Sequence, residues 1–173
     1  IPGAHLLEFS PNGGFDWRSE NNNIDFNING PVVAEGQWTH IAATMTRTTT
    51  GYRSDVYVNG VNANSSTNWQ LSTINNGSGV RDADSDLYLG ILWSQRNGNP
   101  DPWAGKIDDF QIWNTSLTAE EIASVYAGNK DTKRSNLVAE YTFDNDQADQ
   151  VIDSSGNNNH GTLIGKTNQV QPA

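Results

Sequence analysis

The chain has 173 residues, no cysteine, a formal net charge of −10 and a pI near 4.5. That length suits one domain with a real core, and the missing cysteines exclude a disulfide framework and thiol chemistry while leaving export open. The acidity excludes nucleic acid as an expected partner, because no phosphate-neutralising patch exists, and no apolar run approaches a membrane span, so no membrane insertion is expected. No signal peptide precedes Ile1, so the chain reads as mature or as a module of a larger multidomain protein. Low charge content, abundant Asn and Gly and six tryptophans suggest a turn-rich β protein that meets neutral polar surfaces.

Leu6 to Phe9 reads as a first short strand, closed by the turn composition Pro11-Asn-Gly-Gly14. Phe15 to Trp17 and Ile24 to Ile28 follow as strands, separated by polar Ser19 to Asn23. Trp38 to Met45 alternates over eight residues and predicts a half-buried strand. Asp55 to Val58 then runs into Asn59-Gly60, a pair that tolerates the positive φ values of a type I′ hairpin turn. Asn62 to Asp86 reads as long, polar and irregular apart from Trp69 to Ile74, and Leu87 to Leu92 as another strand. From Ile107 to Trp113 the residues alternate, with Asp108, Phe110 and Ile112 on one face. The period then switches: Thr118 with Glu121 forms a capping box, Leu117 staples onto Ile122, and Gly128 ends a short helix. Leu137 to Phe143 predicts a strand, and Asp153 to Gly161 a loop. About nine or ten short strands and one short helix predict an all-β antiparallel sandwich.

Four segments together resemble the laminin G-like, concanavalin A-like lectin/glucanase jelly-roll family. They are Trp38-Thr-His-Ile-Ala, Val56-Tyr-Val-Asn-Gly60, Gly105 to Asn114 with the Leu-Thr-Ala-Glu-Glu-Ile helix, and Tyr141-Thr-Phe-Asp followed by Asp153-Ser-Ser-Gly-Asn-Asn-Asn-His-Gly161. In that family the Asp-Ser-Ser-Gly segment normally lies near the start of the domain, whereas here it comes last. The resemblance therefore implies either a circular permutation or boundaries cut across two tandem copies. The reading adopted is one laminin G-like sandwich over residues 1–173, in which residues 136–165 supply a strand and loop usually found at the start.

Carbohydrate recognition needs an aromatic face for the C–H side of a sugar ring and amides or guanidinium groups for its hydroxyls. Trp93 with Gln95, Arg96, Asn97, Asn99 and Asp101 combines these in one loop, and Trp17 and Trp69 lie in or near other loops. The same loop could equally be a tryptophan covering the sandwich end. Trp38 and Trp113 read as core residues and Trp103 as structural, while Tyr57 and Gln111 could line a sheet face. Calcium is expected as a structural ion, because a hard cation wants several oxygen ligands on tight turns. Asp153 and Asn157 offer such oxygens, and the resemblance implies that Asp108 or Asp109 reaches the same ion. The competing reading of that loop is an Asx turn satisfying its own backbone. Arg81 to Asp86 lacks the glycine and glutamate of an EF-hand and reads as a solvated acidic run.

Catalysis is not expected. A glycosidase would need two carboxyl groups about 5–10 Å apart across a cleft; the Glu-x-Asp-x-x-Glu strand of jelly-roll glucanases is absent, and Glu120 and Glu121 belong to the helix N-terminus. Arg18-Ser-Glu20 is similar to one polysaccharide-lyase motif, but its partner motifs are missing; the resemblance makes His40 part of a structural Trp-x-His strand, and His5 and His160 have no visible base or nucleophile. The sequons at Asn64, Asn76 and Asn114 carry little information in an Asn-rich chain. The expected function is a non-catalytic carbohydrate-binding or adhesion module of a secreted or surface protein, with a polysaccharide or glycan as partner. The alternatives are a polysaccharide lyase or glycoside hydrolase, and a protein-interaction or spacer module.

Overall fold

Local signals organise the chain where they are strongest, at the Asn59-Gly60 turn and at the Thr118 cap. The computed structural model describes residues 4–9, 15–21, 24–70, 87–93 and 100–164. In order these form β1 (Ala4–Phe9), β2 (Phe15–Asn21), β3 (Ile24–Asn29), β4 (Ile41–Arg47), β5 (Gly51–Val58), β6 (Val61–Gln70), β7 (Ile91–Trp93) and β8 (Pro100–Pro102). Then come β9 (Phe110–Trp113), α1 (Ala119–Tyr126), one 3-10 turn (Arg134–Asn136), β10 (Leu137–Tyr141), β11 (Gln150–Val151) and β12 (Gly161–Thr162). Every strand pairing is antiparallel. Two compact units emerge, Ile1–Tyr88 with Ser116–Thr132 and Leu89–Thr115 with Lys133–Ala173.

The first unit holds two three-stranded sheets, β1-β2-β3 and β4-β5-β6. Asn59 (φ 50°) and Gly60 (φ 77°) both sit in the left-handed region, as a type I′ turn requires. Asn59 also locks the turn to the strand before it, since the His40 backbone N–H donates to its Oδ1 at 3.0 Å and its own N–H donates to the His40 carbonyl at 2.9 Å. Gly60 is needed for a second reason: a Cβ there would stand 2.9 Å from Cδ1 of Tyr126. Successive residues of β5 face opposite ways. Val56 points into the buried centre with Ile28 of β3, ringed by Val33, Ile41, Ala43 and Val58. Ser54 on that face is fully buried and donates to the Thr44 carbonyl at 2.9 Å. Arg53, Asp55 and Tyr57 take the other face. The capping box of α1 is complete: the Glu121 N–H donates to Thr118 Oγ1 at 3.3 Å and the Thr118 N–H to Glu121 Oε2 at 2.9 Å. Leu117 and Ile122 are buried beside it.

The second unit pairs β7 with β8, β9 with β10, and β11 with β12. Tyr141 stacks on Phe110 across the β9–β10 pair, ring centroids 6.3 Å apart.

Three expectations change. The polar run after Asn62 is not irregular at its start, because Val61–Gln70 continues as β6. Its side chains from Val61 to Ser65 are exposed, so the strand is specified by hairpin pairing and not by alternation. Trp38 is not a core residue: it is 68% exposed and precedes β4, which begins only at Ile41. The strand expected from Ile107 begins at Phe110, because Asp109 takes a left-handed φ of 49° and Asp108 Oδ1 accepts its N–H at 2.9 Å.

Candidate functional site

On the outer face of β5, Asp55 lies opposite Ser65 of β6 and Tyr57 opposite Asn62. Asp55 is only 5% exposed, and the Arg53 guanidinium lies along its carboxylate. Nε of Arg53 donates to Oδ1 at 3.0 Å and Oδ2 at 2.9 Å, and Nη2 donates to Oδ1 at 2.7 Å. Ser65 Oγ donates to the same Oδ1, and Asn62 Nδ2 reaches it at 3.4 Å. Burial pushes the Asp55 carboxyl up, but the Arg53, Ser65 and Asn62 donors outweigh it and hold the group below the usual carboxylate range. The Arg53 side chain is 50% exposed. Its Nη1 has no hydrogen-bond partner among the described residues, and Asn62 and Ser65 are exposed beside it.

A second arginine–carboxylate pair lies on β10. Glu140 is buried, with Gln111 Nε2 donating to Oε1 at 2.6 Å and Arg134 Nη1 to Oε2 at 2.7 Å. Here the other guanidinium nitrogen is also taken: Nη2 of Arg134 donates to the Ser154 carbonyl at 2.9 Å. Asp153 is the centre of the adjoining loop. Its Oδ1 accepts the N–H groups of Glu140 and Ser155, each at 2.9 Å, and its Oδ2 accepts Ser155 Oγ and the Asn159 N–H, each at 2.9 Å. Burial raises the Asp153 carboxyl, and these backbone and hydroxyl donors more than reverse that, leaving it below the usual range. The amide of Asn157 donates to the carbonyls of Leu137 at 2.8 Å and Val138 at 3.1 Å, and that of Asn159 to Val138 at 2.8 Å. The loop therefore covers the edge of β10 that β9 leaves open, which satisfies polar groups that would otherwise invite another strand.

Residues 3–123 match the Concanavalin A-like lectin/glucanases superfamily, through its Laminin_G_3 family. The chain belongs to that superfamily. Its fold is accordingly the concanavalin A-like antiparallel β-sandwich with one short helix. A solved S-layer domain-containing protein (residues 221-444) from Clostridium thermocellum ATCC 27405 is similar at 23% identity and a TM-score of 0.41, covering 72% of this chain. This chain spans 57% of that structure. No curated protein matches it. Among the described residues no helix is long and apolar enough to cross a membrane.

Of the expected metal residues in this lectin/glucanase-type domain, Asp153 is the one surrounded by protein donors. Both oxygens of Asp153 are filled by the N–H and O–H groups above, and the Asn157 amide nitrogen is spent on backbone carbonyls. Calcium needs six to eight oxygens, and Asp153 as bonded offers it neither of its own. Asp108 and Asp109 precede β9, and among the described residues no three His, Cys, Asp or Glu side chains gather at one point.

The expected aromatic platform is only partly placed. Trp93 ends β7 opposite Pro100, and Asp101 lies on β8 opposite Leu92, so the two flank one hairpin. Gln95, Arg96, Asn97 and Asn99 lie outside the described residues, as does the Arg81–Asp86 run. Trp17 is on β2 opposite Leu7 and Ile28, and Trp69 on β6 opposite Tyr52. Trp103 is 42% exposed, its indole laid over Gly105, where a Cβ would come within 2.6 Å of the ring. Trp113 is half-buried, and its indole nitrogen has no hydrogen-bond partner among the described residues. Of the two proposed sheet-face residues, Tyr57 is buried and Gln111 is committed to Glu140. His40 packs on Tyr126 with ring centroids 5.5 Å apart, and burial pulls its pKa down.

Sequence reading missed Arg53, Asp55, Asn62 and Ser65 as a group. A signal was present: counting outward from the Asn59-Gly60 turn pairs Tyr57 with Asn62 and brings Asp55 to within one residue of Ser65. The bulge between Val56 and Tyr57 supplies the remaining shift.

Proposed function

We propose that this lectin/glucanase-type domain is a non-catalytic carbohydrate-binding or adhesion module of a secreted or surface protein. The observation that supports this best is the state of its buried aspartates. A glycoside hydrolase needs one carboxyl group raised into a proton-donating range, facing a second. Asp55 and Asp153 are instead both held below the ordinary carboxylate range, with their oxygens occupied by protein donors. Such groups hold neighbouring polar side chains in fixed orientations, which suits recognition. The flanks of the Trp93–Asp101 hairpin, with Trp17 and Trp69, remain the proposed stacking surfaces. A shallow, wet site of this kind gives modest affinity, and repetition within a larger multidomain chain would raise it.

Incubating the domain with a panel of polysaccharides tests the reading. The expected result is retention in affinity electrophoresis with no new reducing ends and no unsaturated products. Product formation would assign the domain to the hydrolases or lyases. Calcium enters this reading as a separate test, since an ion at Asp153 would have to displace four donors. A melting temperature unchanged by chelator agrees with the donor-filled loop, and a fall of several degrees would restore the ion.

A further inference from the structure

We propose that the side of the Arg53 guanidinium turned away from Asp55 binds a vicinal diol of a neutral sugar, with Asn62 and Ser65 completing the contact. This rests on the carbohydrate-binding reading above and adds to it a place and a ligand chemistry. Arg53 is held by two nitrogens against a carboxylate that is itself buried and fixed by Ser65 and Asn62. Its plane is therefore set before any ligand arrives, and the ordering cost that weakens a flexible arginine is largely removed. Nη2 also donates to Ser65 Oγ at 3.4 Å, so Nη1, with its two N–H groups on a half-exposed side chain, is what is left to meet two adjacent oxygens.

Charge selects the kind of oxygen. The Asp55 carboxylate, at 2.7 Å from Nη2, offsets the guanidinium charge, and a chain of net charge −10 repels polyanions at longer range. What remains is the Nη1 amino group beside an exposed amide and an exposed hydroxyl, which fits sugar hydroxyls better than a carboxylate or sulfate. The Arg134 pair does not offer this, because both of its terminal nitrogens are spent, Nη1 on Glu140 and Nη2 on the Ser154 carbonyl.

The test uses the full chain in affinity electrophoresis with soluble 1,4-linked xylan and mannan, whose units keep adjacent free hydroxyls, against 1,3-linked glucan, whose inner units do not. Polygalacturonate serves as the acidic probe. The expected outcome is binding to xylan or mannan that is abolished by periodate, which cleaves vicinal diols, and weak or no binding to the 1,3-linked glucan. Arg53→Lys should weaken that binding about tenfold, as expected for a lost two-point contact, and Asn62→Ala about threefold. Arg134→Lys should leave it within about twofold. Should Arg53→Lys unfold, Asn62→Ala carries the test alone. Binding unchanged in the Arg53 and Asn62 variants, or equal binding to the 1,3-linked glucan or to polygalacturonate alone, overturns this site while leaving the carbohydrate reading in place. A wild-type chain that binds none of the four polymers overturns that reading itself.

Discussion

Arg53 on β5 and Arg134 before β10 each lie against a buried carboxylate, and each is about half in water, with side-chain exposures of 50% and 40%. They differ in what the guanidinium has left. Arg134 bridges Glu140 to the Ser154 carbonyl and so fastens the Asp153 loop to the sheet. Arg53 spends Nε and Nη2 on one carboxylate, with Nη2 also reaching Ser65 Oγ, and among the described residues keeps its terminal Nη1. An ion pair alone therefore does not mark a functional arginine. Which nitrogen is left does: the terminal Nη1 in Arg53, the stem Nε in Arg134.

The comparison breaks first, and hardest, on the β10 side. Asp153→Ala leaves four donors without an acceptor, one of them the N–H of buried Glu140. A loss of about 3 kcal/mol in urea unfolding is expected; a loss below about 1 kcal/mol would mean that the loop does not clamp the strand. Glu140→Gln keeps the shape and removes the charge that faces Arg134, with an expected cost of about 2 kcal/mol, reduced from the fully buried case because Arg134 reaches solvent. If that variant instead lost glycan binding at full stability, the two regions would have been assigned the wrong way round.

Acid titration sharpens the contrast less. Asp55 and Asp153, one from each region, are both held below the usual carboxylate range. Their stabilisation is present above the unfolded value near 4 and is lost as pH falls through the lower folded values. Melting temperature should therefore drop below about pH 4 in the wild type, and Asp153→Ala should flatten part of that drop. His40, lowered by burial, behaves in the same sense at higher pH: its contribution is complete above about 6.5 and fades as pH falls below it. His40→Phe, which keeps a ring against Tyr126, should remove that slope between pH 7 and 5; an unchanged slope would assign it to other groups. The smallest effect on stability is expected for Arg53→Lys, with a melting temperature within a few degrees of wild type.

What was legible in the chain was local. Asn59-Gly60 announces its own backbone conformation, and Thr118 with Glu121 satisfies a helix end without help from elsewhere. β6 was hidden because Asn62, Asn64 and Ser65 face solvent, so their composition is that of a loop although their backbone is paired to β5. Asp153 in its tight turn is legible as a centre of polar contacts, either as a cation ligand or as an Asx turn. Whether a carboxylate meets a cation or N–H groups depends on residues such as Glu140 and Asn159, whose backbones only the fold brings to it. Arg53 and Asp55 were missed for a related reason: two residues apart on a strand they share a face, yet nothing in their spacing distinguishes a clamp from a solvated pair.

The account turns on Arg53 presenting its terminal Nη1 to ligand while Arg134 commits both terminal nitrogens to the protein. Side-chain nitrogen spectra of the two arginines, recorded while xylohexaose is added to the wild-type chain, address this directly. The Arg53 guanidinium signals should shift with the oligosaccharide while those of Arg134 stay in place. Binding that leaves Arg53 unmoved, or moves Arg134 alone, would contradict the account.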